Sequence, residues 1–92
     1  MPIVHNNLYK VIWDTPTQND LRRIEHRISK HIYQKVTSYL AQAPRELGKR
    51  LAAGLSNIYS YRCDDYRVLY RIIESEETIV ITKVGHRSEV YK

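Results

Sequence analysis

The sequence predicts an α+β domain of order β-α-α-β-β-β, an N-terminal helical hairpin packed on one face of an antiparallel sheet. Three observations carry this. Apolar residues alternate with period two over Leu8 to Trp13, they recur every three or four residues from Leu21 to Leu40, and period two returns after Pro44 in three segments separated by short polar turns. Residues 1–92, with three prolines and three glycines, form a single domain, because separate cores need roughly 50 residues each.

Met1 to Asn7 reads as a lead-in to the first strand, in which Tyr9, Val11 and Trp13 alternate with Leu8, Lys10 and Ile12. Asp14-Thr15-Pro16 then ends the strand and starts a helix, with Thr15 as N-cap and Pro16 at the first helical position. Leu21, Ile24, Ile28, Ile32, Val36, Tyr39 and Leu40 form the apolar stripe of a helix too long for a small domain, so a break into two antiparallel helices is expected near Ser29 to Ile32. The polar face holds Arg22, Arg23, His26, Arg27, Lys30, His31 and Lys35, either an RNA-binding stripe or a solvated helix face. His26 and His31 are five apart, which suits no helix-borne metal pair, and no metal site is expected.

Ala43-Pro44 ends the helical pattern, and Pro44 to Gly54 reads as a basic linker with a helical turn, carrying Arg45, Lys49 and Arg50. Strands follow over Ser56 to Cys63, Tyr66 to Glu74 and Thr78 to Gly85, joined by Asp64-Asp65 and Ser75-Glu76-Glu77 as the turns of an antiparallel meander. Alternation sets Arg67, Leu69 and Arg71 on one face against Tyr66, Val68, Tyr70 and Ile72 on the other. Two cations on a central strand are expensive to bury and should face a groove or a polyanion. In the last strand Ile79, Ile81 and Lys83 alternate against Val80, Thr82 and Val84, and Gly85 turns the chain to present His86 and Arg87. Arg87 could instead pair with Glu89 or Glu74.

Fifteen Lys and Arg against ten Asp and Glu leave a formal charge of +5, which makes polyanions natural partners. The single Cys63 cannot form an internal disulfide, and with neither a signal peptide nor an apolar run of membrane-spanning length the expected location is cytoplasmic, with no membrane partner. Cys63 reads as a small apolar strand residue, or as a nucleophile if its thiol pKa were depressed.

Tyr66-Arg67-Val68-Leu69-Tyr70 followed by Lys83-Val84-Gly85-His86-Arg87-Ser88-Glu89-Val90-Tyr91 closely resembles the C-terminal half of RelE-type toxins of bacterial and archaeal toxin–antitoxin systems. The resemblance is strongest over Leu47 to Tyr91, and in the N-terminal half it is limited to the order of elements. It implies a microbial-ribonuclease-like fold and a ribosome-dependent mRNA endonuclease. Such an enzyme cuts mRNA in the ribosomal A site by attack of the 2′-hydroxyl on the adjacent phosphate, which inhibits translation and requires no metal or cofactor. The implied partners are the ribosome, its mRNA and an acidic antitoxin encoded by an adjacent gene.

By position in this resemblance, Arg67 and Arg87 match the family's catalytic arginines and Tyr91 its terminal tyrosine, which orients or stacks on a base and helps proton transfer. A planar guanidinium suits the phosphate task. RelE itself carries lysines where this chain has Ile58 and Ser60, so the general base is open. His86 is the strongest substitute, since imidazole titrates near neutrality, although a hydrogen-bonded structural histidine fits as well. Lys49, Arg50, Arg62, Arg71 and Lys83 are the expected RNA phosphate contacts. A ParE-like gyrase inhibitor, or a degenerate toxin that retains only antitoxin binding, are the alternatives the resemblance leaves.

Overall fold

The computed structural model describes residues 8–51 and 57–91. The lead-in Met1 to Asn7, the end of the Pro44 to Gly54 linker and the first residue of the Ser56 to Cys63 strand lie outside them. The chain forms β1 (Lys10–Trp13), α1 (Thr15–Arg23), α2 (His26–Ser38), a 3-10 turn (Leu40–Gln42), α3 (Pro44–Leu47), β2 (Lys49–Arg50), β3 (Tyr59–Cys63), β4 (Tyr66–Ile73), a second 3-10 turn (Glu74–Glu76) and β5 (Thr78–His86). The five strands make one sheet in the order β1-β5-β4-β3-β2, with the helices on one face.

The expected β-α-α-β-β-β order is present with three refinements. First, β1 runs parallel to β5, Lys10 opposite Thr78 and Trp13 opposite Ile81, so the sheet is mixed rather than wholly antiparallel. Alternation has the same period in both directions, so a lone strand does not reveal its sense. Second, β2 lies within the stretch read as linker and pairs Lys49 with Ser60 and Arg50 with Tyr59. Two residues carry no period to read.

Third, the helical stripe breaks at Ile24-Glu25 rather than near Ser29 to Ile32. Ile24 is extended (φ −88°, ψ 143°), and its N–H closes α1 on the Leu21 carbonyl at 3.3 Å. Docking sets this position: Asp20 Oδ2 of α1 accepts the Val84 N–H of β5 at 3.0 Å, while α2 turns away to cover the sheet. The N-cap is Asp14, not Thr15; its Oδ1 accepts the Thr15 N–H at 3.0 Å, and Pro16 therefore falls at the second helical position rather than the first, still within the first turn. The basic face of α1 and α2 is largely exposed.

Ile32, Val36 and Leu40 follow at helical spacing and are fully buried against Val68, Tyr70, Ile79 and Ile81. Burying such a side chain contributes about 1.5–3 kcal/mol, so this seam holds the hairpin to the sheet. Tyr70 is buried with its hydroxyl donating to the Pro44 carbonyl at 2.6 Å. That contact requires Gly48, where a Cβ would stand 1.7 Å from the Tyr70 hydroxyl oxygen.

A bulge sets which residues of β5 face the core. Leu69 pairs with Lys83 but Tyr70 pairs with Ile81, leaving Thr82 extra on β5, where its Oγ1 donates to the Leu69 carbonyl at 3.3 Å. The insertion shifts the alternation by one. Ile79, Ile81 and Val84 therefore share the core face, and Lys83 does not belong with Ile79 and Ile81 as simple alternation predicts.

At the far end of β4, Glu74 gathers three elements. Its carboxylate accepts from Arg45 of α3, through Nε at 3.1 Å and through a shorter Nη2 contact, and from the Tyr9 hydroxyl at 2.8 Å. These donors, Arg45 foremost, hold the Glu74 carboxyl below the ordinary carboxylate range. A depressed folded pKa contributes stability above the unfolded value of about 4.3, and that stability is lost as pH falls through the folded value. The melting temperature of Glu74→Gln should lie slightly below the parent's at pH 6. The gap should begin to close below the ordinary carboxylate range and vanish only once melts are carried through the depressed folded value.

Candidate active site

The strand register builds the helix-free face row by row. Lys49, Ser60, Leu69 and Lys83 are successive cross-strand partners, as are Arg62, Arg67 and Gly85. Because Tyr59, Tyr61, Val68 and Tyr70 point into the core, the alternate residues Ser60, Arg62, Arg67, Leu69 and Arg71 project from the opposite face. Arg62 and Arg67 stand directly opposite each other, a like-charge pairing that weakens a sheet unless an anion compensates it. Among the described residues neither forms an ion pair.

The C-terminal residues fold onto this face. After β5 ends at His86, the Glu89 and Val90 N–H groups both donate to the His86 carbonyl at 2.9 Å, forming a tight turn. The turn thus follows β5, and Gly85 lies inside the strand opposite Arg67 rather than at its end. Val90 packs over it at ordinary van der Waals distance, its Cβ lying 3.5 Å from where a Cβ at Gly85 would stand. Val90 is buried there, and Tyr91 continues across to β3, where its hydroxyl meets Ser60 Oγ at 2.9 Å. The Tyr91 ring is otherwise open, 55% exposed.

Arg67 Nη1 donates to the Asp64 and Tyr66 carbonyls at 3.4 and 3.2 Å, which steadies the guanidinium against the β3–β4 turn. Arg87 reaches the same turn from the other side: its backbone N–H donates to the Asp65 carbonyl at 2.8 Å and its Nε lies 3.9 Å from Asp65 Oδ1. The partner of Arg87 is thus Asp65, neither Glu89 nor Glu74, and the contact is loose enough to leave the side chain 61% exposed. Asp64 at φ 56° makes the turn tight enough to serve both arginines.

His86 is placed differently. It pairs with Tyr66, and their rings meet edge to face at 5.4 Å, on the face shared with Val84 and away from Tyr91. The Ser88 N–H donates to His86 Nδ1 at 3.2 Å, so in the neutral ring the proton sits on Nε2. Nε2 is then a donor rather than a base. His86 and Lys83 border a cleft of about 370 Å³ along the free edge of β5, walled on the far side by Asp20, Ile24 and Glu25.

The expected RNA contacts divide likewise. Lys49, Arg62 and Arg71 lie on the helix-free face, with Arg71 opposite Val80 and about 13 Å along β4 from Arg67. Lys83 falls on that face because of the bulge and sits at its β5 edge. Arg50 is in register with the core-facing Tyr59, so alternation turns it away from Lys49 and out of this cluster. Cys63 is buried, and burial foremost, with Asp64 adding to it, pushes its thiol pKa up, as expected of an apolar strand residue and not of a nucleophile. The sequence reading missed Ser60 as a seat for Tyr91, and missed Lys49 as its cross-strand neighbour, because both relations cross the sheet.

Fold and face together define a small basic α+β domain whose open sheet surface carries the Arg62–Arg67 pair without an ion-pair partner among the described residues. The chain belongs to the ParE toxin family of type II toxin–antitoxin systems, whose model matches residues 11–91, and it is thus a toxin of the wider RelE/ParE group. Toxin RelG of Mycobacterium tuberculosis is 33% identical over 84 residues, covering 91% of this chain and 97% of RelG. Toxin RelE of the same organism is 31% identical over 84 residues, covering 91% and 87%. The RelBE2 toxin–antitoxin complex of M. tuberculosis superposes with a TM-score of 0.84 at 33% identity over 89% of this chain and 94% of that one. A double-arginine mutant of the E. coli toxin RelE in the free state shares the fold, with a TM-score of 0.73 at 22% identity over 92% of each chain. No helix among the described residues is long and apolar enough to cross a membrane.

Proposed function

We propose that this toxin is a metal-independent, ribosome-dependent mRNA endonuclease that cleaves mRNA in the A site and so inhibits translation in the cytoplasm. The observation that carries the proposal is the cross-strand pair Arg62 and Arg67, without carboxylate partners among the described residues and beside an exposed Tyr91. Attack of a 2′-hydroxyl on the neighbouring phosphate needs cations for the charge growing on the phosphorane and groups to take and return protons. Arg67 and Arg87, tied to one turn from two sides, suit the first task. Arg62, Arg71 and Lys83 extend the positive track for RNA phosphates.

Tyr91 offers a ring on which a base can stack, worth about 1–3 kcal/mol, and a hydroxyl at Ser60, one of the two positions where RelE carries a lysine. Lys49 stands across from Ser60 and returns a cation to that place from the neighbouring strand, so the proton work falls to Tyr91 assisted by Lys49. His86, whose Nδ1 is engaged by Ser88, serves as a hydrogen-bond donor at the margin through Nε2–H. Arg50 drops out of the RNA track on this reading.

The toxin's partners are the ribosome with its mRNA and a cognate antitoxin with an acidic binding segment, complementary to the +5 charge of the chain. Solved relatives include toxins bound to their antitoxins. The ParE name of the family model supports a second reading, inhibition of DNA gyrase. Incubating the purified toxin with programmed ribosomes and mapping ends by primer extension tests both. Cleavage that requires the ribosome supports the proposal, whereas intact mRNA together with blocked gyrase supercoiling selects the second reading. Inactivity in both assays with antitoxin binding retained would mark a degenerate toxin.

A further inference from the structure

Away from this face, the fold brings His31 of α2 to the end of β3. The His31, Cys63 and Asp64 ligand atoms all lie within 4.8 Å of one another, and His31 Nε2 is 3.6 Å from Asp64 Oδ2. The three are a nitrogen, a sulfur and an oxygen donor on two separate elements. A tetrahedral zinc ion, with bonds of about 2.0–2.3 Å, spaces its ligand atoms roughly 3.4–3.7 Å apart. The His31–Asp64 pair already has that spacing at 3.6 Å, and the thiol, within 4.8 Å of both, needs a shift of no more than roughly 1.4 Å.

Access and charge also fit. His31 and Asp64 are exposed above a buried Cys63, so an ion arriving from solvent meets two ligands at the surface and the thiol beneath, with an outward position left for water. Lys35, the nearby cation, is drawn over the Tyr39 ring at 4.5 Å instead of pairing with Asp64. A buried sulfur ligand favours a thiophilic ion over magnesium or calcium.

We propose that His31, Cys63 and Asp64 form a binding site for a thiophilic divalent transition metal of the zinc class. Binding breaks the Cys63 S–H bond, releases that proton to solvent and forms a metal–sulfur bond; His31 contributes its Nε2 lone pair with its proton on Nδ1, and no group changes oxidation state. The ion joins α2 to the turn whose Asp64 and Asp65 carbonyls hold Arg67 and Arg87, so it stiffens the support of the nuclease face without entering the reaction.

Cobalt(II) titration of the reduced, chelator-stripped full-length protein tests this. Because Cys63 is the sole cysteine in the chain, a thiolate-to-cobalt charge-transfer band can arise only there. We expect that band, with tetrahedral visible transitions, to saturate at one equivalent and to vanish when zinc is added. Cys63→Ser should abolish it, and His31→Gln and Asp64→Asn should each weaken binding by at least about tenfold, since even outer-shell partners are worth that much. The last two substitutions are at exposed positions and keep the test valid if Cys63→Ser fails to fold. Absence of the band in the parent, or undiminished affinity in both His31→Gln and Asp64→Asn, overturns the site.

Discussion

Replacing Arg87 by alanine should lower the single-turnover rate of mRNA cleavage on programmed ribosomes by about 10²–10³-fold, the loss typical of one transition-state charge stabiliser. The melting temperature should hardly move, because Arg87 is mostly exposed and its ion pair with Asp65 is long. Arg87→Lys should recover only part of the loss, since an ammonium lacks the planar fork that meets two phosphate oxygens at once. Arg67→Ala should show a comparable rate loss with a small decrease in stability, because its guanidinium also ties down two carbonyls of the β3–β4 turn. His86→Gln should cost about tenfold or less, as a marginal donor replaced by another. A parent-like rate for Arg87→Ala in this assay would remove it from the reaction while leaving the fold assignment intact.

The largest expected stability effect lies at Gly48. An alanine Cβ there would stand 1.7 Å from the Tyr70 hydroxyl oxygen and 2.8 Å from its ring carbon Cζ, and Tyr70 is fully buried against the core. The ring can yield only by moving the seam it packs against or by breaking its bond to the Pro44 carbonyl. Overpacking and a lost buried hydrogen bond together should cost about 2–4 kcal/mol. In a domain of this size each kcal/mol lowers the melting temperature by roughly 4–8 °C, so thermal unfolding resolves the effect easily. Tyr70→Phe removes the hydroxyl at the closest contact, so in a double-mutant cycle the two changes should cost less together than the sum of the single losses. Additive losses would show that Gly48 matters for another reason.

Much of this molecule was legible from local pattern. Alternation and helical spacing placed the strands and the apolar stripe, because burial of one face is what those periods record. The motif from Tyr66 to Tyr91 identified the toxin family, and the grouping of Arg67 with Arg71 followed from alternation along one unbroken strand. Where a feature depended on one element meeting another, local pattern did not suffice. The stripe from Leu21 through Ile28 continues across the helix break, which arises where Asp20 docks on Val84.

By itself, then, the sequence determined an α+β toxin of basic charge with its arginines and terminal tyrosine in the last third of the chain. Only the tertiary structure decided the direction of β1, the bulge at Thr82 that moves Lys83 off the face of Ile79 and Ile81, and the seating of Tyr91 on Ser60 beside Lys49. It likewise joined His31 to Cys63 and Asp64. The physical reason is common to all of these: side-chain period reports which face of an element is buried, whereas pairing partners, strand sense and cross-element clusters are set by contacts between residues far apart in the chain.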